Sequence, residues 1–78
     1  MEFEIVYYKD SSGKLPVEEF LLALGKTNKK LQANTFRGIG KLRNKAYHVE
    51  PVSKYLESGL WELRIRAGTD IVRIIYTL

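Results

Sequence analysis

The order of apolar and polar residues divides the chain into strand-like and helix-like segments. Phe3-Glu4-Ile5-Val6-Tyr7-Tyr8 is rich in β-branched and aromatic residues and stops at Lys9-Asp10-Ser11-Ser12-Gly13, a cluster of turn formers, so a first strand is predicted. Leu15-Pro16-Val17-Glu18-Glu19-Phe20 then opens a helix. Proline suits the first helical position, and the two glutamates complement the positive end of the helix dipole. Val17, Phe20, Leu21 and Leu24 fall on one face, and Gly25 can end the helix.

A second helix is predicted from about Asn28 to about Ala46, with Leu31, Thr35, Ile39, Leu42 and Ala46 as its buried stripe. Gly38 and Gly40 interrupt it. Each glycine costs on the order of 1 kcal/mol relative to alanine in a helix, so a close packing contact, a kink or an early end is expected there. From Tyr47 to Gly59 the pattern is irregular, punctuated by Pro51 and Gly59. Trp61-Glu62-Leu63-Arg64-Ile65-Arg66-Ala67 then alternates apolar and charged residues, and Ile71-Val72-Arg73-Ile74-Ile75-Tyr76-Thr77-Leu78 is an apolar strand interrupted by one arginine. With Ala67-Gly68-Thr69-Asp70 as the turn, Arg66 lies opposite Ile71 and Arg64 opposite Arg73. Trp61, Leu63, Ile65, Val72, Ile74 and Tyr76 then share an inner face; Glu62, Arg64, Arg66, Ile71, Arg73 and Ile75 share the outer one.

A chain of 78 residues makes one domain, here spanning 1–78, and buries only about 60% of the surface its unfolded form exposes. With no cysteine, neither a disulfide framework nor a thiolate metal site is expected, and no cofactor is implied. The acidic start, Met1-Glu2-Phe3-Glu4-Ile5, is unlike a secretory leader, and no apolar run reaches the roughly 18 residues of a membrane span. A cytoplasmic protein without membrane contact is therefore expected.

The net charge of +4 is unevenly spread. Residues 26–45 carry Lys26, Lys29, Lys30, Arg37, Lys41, Arg43 and Lys45 with no acid, whereas residues 1–25 are net acidic. Such a block suits a polyanionic partner, although a solvated helix face is the plainer alternative. Lys30, Arg37, Lys41 and Lys45 align on one face of the predicted helix, a placement suited to contact with an RNA backbone. Three arginines on one sheet face have the same character, since like charges opposite one another destabilise a sheet and arginine's planar fork fits phosphate. The alternative is that they fan into solvent, with Glu62 or Glu57 pairing one of them. His48, the single histidine, could move a proton near neutral pH, but a loop bystander is the simpler reading. The inner-face phase of Trp61 and Tyr76 favours packing for both.

Lys54-Tyr55-Leu56-Glu57-Ser58-Gly59-Leu60-Trp61-Glu62-Leu63-Arg64, followed by Asp70-Ile71-Val72-Arg73-Ile74-Ile75-Tyr76, resembles the core of phage-derived HigB-like toxins in the RelE/ParE superfamily. Pro16-Val17-Glu18-Glu19-Phe20-Leu21 resembles the start of their first helix. The resemblance implies an α+β fold in the order β-α-α-β-β. It also implies a further C-terminal strand and helix, which the sequence given does not contain, so a C-terminally short member with an edge open to a partner is expected. The function implied is that of a type II toxin, a ribosome-dependent mRNA endonuclease that inhibits translation. Without metal, the 2′-hydroxyl attacks the adjacent phosphate and cationic side chains stabilise the developing charge. Arg64 and Arg66 match the basic positions on the family's central strand and Arg73 the arginine on the following one; we expect Arg73 and Arg64 at the scissile phosphate and Arg66 orienting the RNA, Lys54 joins the RNA-binding set, and Glu62 is a general base or an orienter of an arginine. The implied partners are a helix-turn-helix antitoxin, mRNA and rRNA on the ribosome. A gyrase inhibitor of the ParE kind and a non-catalytic RNA- or antitoxin-binding remnant are the alternatives.

Overall fold

Pro16 starts the first helix, α1 (Pro16–Leu24), at the position where its missing N–H costs nothing, and Glu18 and Glu19 occupy the first turn. The structure is a computed structural model that describes residues 3–78; Met1 and Glu2, part of the N-terminal reading, lie outside the described residues. Leu21 is fully buried and Val17 and Leu24 pack beside it, but Phe20, expected on the same stripe, is exposed. Gly25 ends α1 in an ordinary helical conformation. Its lack of a side chain serves a close approach instead, since a Cβ there would collide with the Gln32 amide, which donates to Leu21 O at 2.9 Å.

The second helix, α2 (Lys29–Lys41), is capped by Asn28, whose Oδ1 accepts from Leu31 N–H at 3.0 Å. Leu31, Thr35, Ile39 and Leu42 are buried as expected, and the Thr35 hydroxyl donates to Leu31 O at 2.7 Å. The helix ends five residues before Ala46, which is exposed. From Leu42 to Asn44 the N–H groups bond three residues back, tightening the last turn, and Asn44 then caps a short 3-10 turn (Lys45–Tyr47) through Ala46 N–H. Lys45 is thereby separated from the α2 face it was expected to extend.

Three antiparallel strands follow in the spatial order β1-β2-β3: β1 (Ser53–Glu57), β2 (Leu60–Ala67) and β3 (Asp70–Thr77). The observed order among the described residues is thus α-α-β-β-β, and the expected β-α-α-β-β is corrected in two places: the N-terminal segment joins no sheet, and an additional strand, β1, precedes the last hairpin. Phe3–Tyr8 is extended and keeps its alternation, with Phe3, Ile5 and Tyr7 half-buried and Glu4, Val6 and Tyr8 exposed. No ladder forms, however. Phe3 N–H donates to Arg43 O at 3.1 Å, and a groove of about 730 Å³ lies between this segment and the outer edge of β3. Side-chain period makes a segment extended; only a backbone partner makes it a strand.

The stretch read as irregular contains β1, paired with β2 through Ser53–Leu63, Lys54–Glu62 and Tyr55–Trp61, with a register shift before Glu57. Ser58 (φ 49°) and Gly59 (φ 79°) form the two-residue connection, and positive φ at both central positions is the type I′ hairpin geometry. The β2–β3 register is the expected one: Arg66 opposite Ile71, Arg64 opposite Arg73.

The core lies between the helices and the inner sheet face, where Leu21, Ile39, Leu42 and Leu63 meet and Ile65, Ile74 and Tyr76 pack against them. Gly38 brings α2 onto the sheet, because a Cβ there would overlap Ile65 Cδ1. The outer sheet face has no covering element among the described residues.

Candidate nucleic-acid interface

The turn between β2 and β3 fixes which pairs stand closest. Gly68 has φ 63° at the first central position of the two-residue loop, as a type II′ turn requires. In such a hairpin the flanking pair, Ala67–Asp70, is the hydrogen-bonded one, so Arg66–Ile71 and Arg64–Arg73 are non-hydrogen-bonded pairs. Their Cα atoms are about 4.5 Å apart, the closer of the two antiparallel spacings. Consistent with that phase, Arg64 N–H turns the other way and donates to Val52 O at 3.3 Å. Two guanidinium stems therefore rise side by side from an open sheet face, with Arg66 one step further along β2, and all three arginines are exposed.

Glu62 is the counter-charge within this row. Arg64 Nε donates to Glu62 Oε1 at 2.6 Å, and Lys54 stands opposite Glu62 on β1. The Arg64 hydrogen bond holds the Glu62 carboxyl below its ordinary range against a smaller opposing effect of burial, and the charges of Arg64, Arg73 and Lys54 add to it. One of Arg64's donors is thus committed to Glu62, while its terminal nitrogens and the whole Arg73 fork remain for an anion.

The α2 cations reach the same region from the side. Arg37 and Lys41 line a shallow groove of about 360 Å³ shared with Arg64 and Arg66, where Asn34 Nδ2 donates to Arg66 O at 3.2 Å. Lys41 Nζ also lies 5.6 Å from the Tyr47 ring centroid. Lys30 is exposed on α2 outside this groove, and Lys45 is exposed on the 3-10 turn. Of the expected basic set, Arg37 and Lys41 join the arginines at the groove and Lys54 joins them on the sheet face; Lys30 and Lys45 do neither.

His48 stands on the other side of the sheet. One ring nitrogen, Nε2, lies 2.8 Å from Leu42 O and must carry the proton, which leaves Nδ1 to accept from the Tyr76 hydroxyl at 2.9 Å. Phe3, Trp61 and Tyr76 surround the ring edge-on, and burial raises the Tyr76 phenol's pKa above its ordinary value. His48 is therefore part of a packed aromatic cluster, remote from the arginine row. Among the described residues, no three His, Cys, Asp or Glu side chains gather as a metal site, and no helix is long and apolar enough to cross a membrane.

The family model described as Phage derived protein Gp49-like (DUF891) matches residues 19–78, from within α1 through the last strand. The chain belongs to the Gp49-like family. Comparisons with curated proteins and with solved structures gave no match. Gp49-like proteins are RelE-like toxins, often the toxin of a toxin–antitoxin pair, so an antitoxin partner is implied in general. In this Gp49-like chain the matched span takes in α2 and all three strands, the elements that carry the arginine row and the groove beside it.

Two features escaped the sequence reading. Strand β1, which puts Lys54 against Glu62, had one local signal in Ser58-Gly59, a dipeptide that marks turns. The groove had no local signal, because it forms where α2 passes beside β2 beyond the start of β1.

Proposed function

We infer that this chain, as a single domain, is the HigB-like toxin of a type II toxin–antitoxin pair, acting in the cytoplasm as an endoribonuclease on ribosome-bound mRNA. The observation that carries this reading is the side-by-side placement of Arg64 and Arg73 on an uncovered sheet face, with Arg66, Lys54 and Glu62 around them. Like charges in such a pair are unfavourable without an anion between them, and two planar forks spanning a phosphate resolve the conflict.

In the proposed step the 2′-oxygen attacks the adjacent phosphorus while the bond to the 5′-oxygen breaks. The 2′-hydroxyl gives its proton to solvent water and the leaving 5′-oxygen takes one from solvent water, so the step is proton-neutral and leaves a 2′,3′-cyclic phosphate and a 5′-hydroxyl. Arg64 and Arg73 stabilise charge on the non-bridging oxygens, and Arg66 orients the backbone. The lowered pKa of Glu62 makes it a weak base at neutral pH, so its role is to position Arg64. Arg37 and Lys41, with Lys30, Lys45 and Lys54, supply non-specific attraction to mRNA and rRNA. A helix-turn-helix antitoxin covering the basic face would silence it.

A second reading, binding without cleavage, is favoured by one observation: Glu62 is the single carboxylate in the arginine row, and it is committed to Arg64. Primer extension on cellular mRNA after induction, comparing this chain with Arg73→Ala, separates the readings. Cuts at ribosome-protected codons that the substitution abolishes support the nuclease. Salt-sensitive RNA binding without cuts supports the binding remnant, and arrested supercoiling without cuts points to gyrase.

A further inference from the structure

The groove between α2 and β2 differs in chemistry from the open sheet face. Gly38, Val52 and Ile65, buried or half-buried, make an apolar floor, half-buried Asn34 lies beside it with its amide on Arg66 O, and Arg37, Lys41, Arg64 and Arg66 put cations around it. No acidic and no aromatic residue lines it. Strand β1 starts at Ser53, opposite Leu63, so beyond the Arg64–Val52 bond β2 has no β1 residue beside it. Because N–H direction alternates along a strand, Arg66 N–H points to the same side as Arg64 N–H, into this groove.

Single-stranded RNA held in a groove ordinarily stacks its bases on aromatic rings, and none is present here. An apolar floor ringed by four cations, with a main-chain donor on one wall, is complementary instead to a peptide. Its carboxylates meet Arg37, Lys41, Arg64 and Arg66, its intervening side chains cover Gly38, Val52 and Ile65, and one of its carbonyls accepts from Arg66 N–H. We propose that this groove docks an extended peptide segment in which acidic residues alternate with small apolar ones. Docking there occupies Arg64 and Arg66, so such a segment competes with RNA for the hairpin. That consequence rests on the function proposed above, whereas the docking itself does not.

The test uses the full chain and fluorescence anisotropy with three labelled probes: a peptide of alternating glutamate and valine, the same peptide with serine for valine, and oligouridylate. The glutamate–valine peptide is expected to bind, and Arg37→Ala/Lys41→Ala to weaken it about tenfold or more, as for a lost charge-assisted hydrogen bond. Arg73→Ala, on the open face, should change peptide binding by less than about twofold, the size of a distant surface charge effect. The serine peptide, with equal charge and no apolar side chains, should bind more weakly, and excess glutamate–valine peptide should displace bound oligouridylate. No peptide binding, equal binding by the double variant, or equal binding of the two peptides overturns the proposal. So does oligouridylate binding that depends on Arg37 and Lys41 and persists when the peptide is saturating. Peptide binding with no oligouridylate binding at all leaves the docking site standing and removes the RNA reading.

Discussion

Replacing Gly38 by alanine tests the contact that seats α2 on the sheet. In an unhindered helix this change stabilises by about 0.8–1.0 kcal/mol. Here the new Cβ would overlap Ile65 Cδ1 and stand 3.3 Å from Ile65 Cγ1 and 3.9 Å from Leu63 Cδ2. Overpacking of this kind costs about 1–3 kcal/mol, so the expected net effect is a loss of about 1 kcal/mol, or a Tm lower by about 4–8 °C in a domain of this size. Ile65→Val removes the overlapping Cδ1 and by itself costs about 0.5–1.5 kcal/mol. In the double variant the overlap is gone and the helical gain remains, so its stability should return to within about 0.5 kcal/mol of the parent, with a coupling of at least about 1 kcal/mol. Urea unfolding of the four proteins, followed by far-ultraviolet circular dichroism, measures the cycle. Stabilisation by Gly38→Ala alone, with additive effects in the double variant, would refute the contact, and with it the approach of Arg37 and Lys41 to the β2 arginines.

Other outcomes follow from single contacts. Asn28→Ala removes the α2 cap together with the 2.7 Å bond from Asn28 Nδ2 to Asp70 Oδ2 that ties the helix start to the hairpin turn, so thermal unfolding should show a loss of about 0.5–2 kcal/mol. Tyr76→Phe deletes the hydroxyl that donates to His48 and should cost about 0.5–1.5 kcal/mol in urea unfolding while leaving RNA affinity unchanged; a large loss of affinity would place the aromatic cluster in the binding surface. Because the folded Glu62 carboxyl is held below the ordinary value of 4.5, its contribution to stability is present above that value and is lost as pH falls through the lower folded one. Carbon-detected NMR titration should place its midpoint below 4.5 in the parent and nearer to it in Arg64→Ala; an unmoved midpoint would mean that Arg64 is not the cause.

Local chemistry determined the parts of this protein that depend on neighbours in sequence. The proline and glutamates that start α1, the Asn28-to-Leu42 stripe of α2 and the period-two alternation of the last hairpin were all legible. A short turn leaves a hairpin one register that buries Leu63 and Val72 together, so the pairing of Arg64 with Arg73 followed directly. Tertiary structure decided what depends on segments distant in the chain. Phe3–Tyr8 has the pattern of a strand but makes no ladder with another segment, whereas Ser53–Glu57, with a weaker pattern, becomes a strand because β2 offers it an edge. Phe20 and Ala46 are apolar and in phase with the predicted helices, yet both are exposed; of the three outcomes open at Gly38 (close contact, kink or early end), the fold takes the close contact, with Ile65. The candidate site divides in the same way. Its arginine row belongs to one hairpin and was visible in the sequence, while the groove that adds Arg37 and Lys41 forms where helix and strand, about 30 residues apart along the chain, pack through Ile65 against the bare backbone of Gly38.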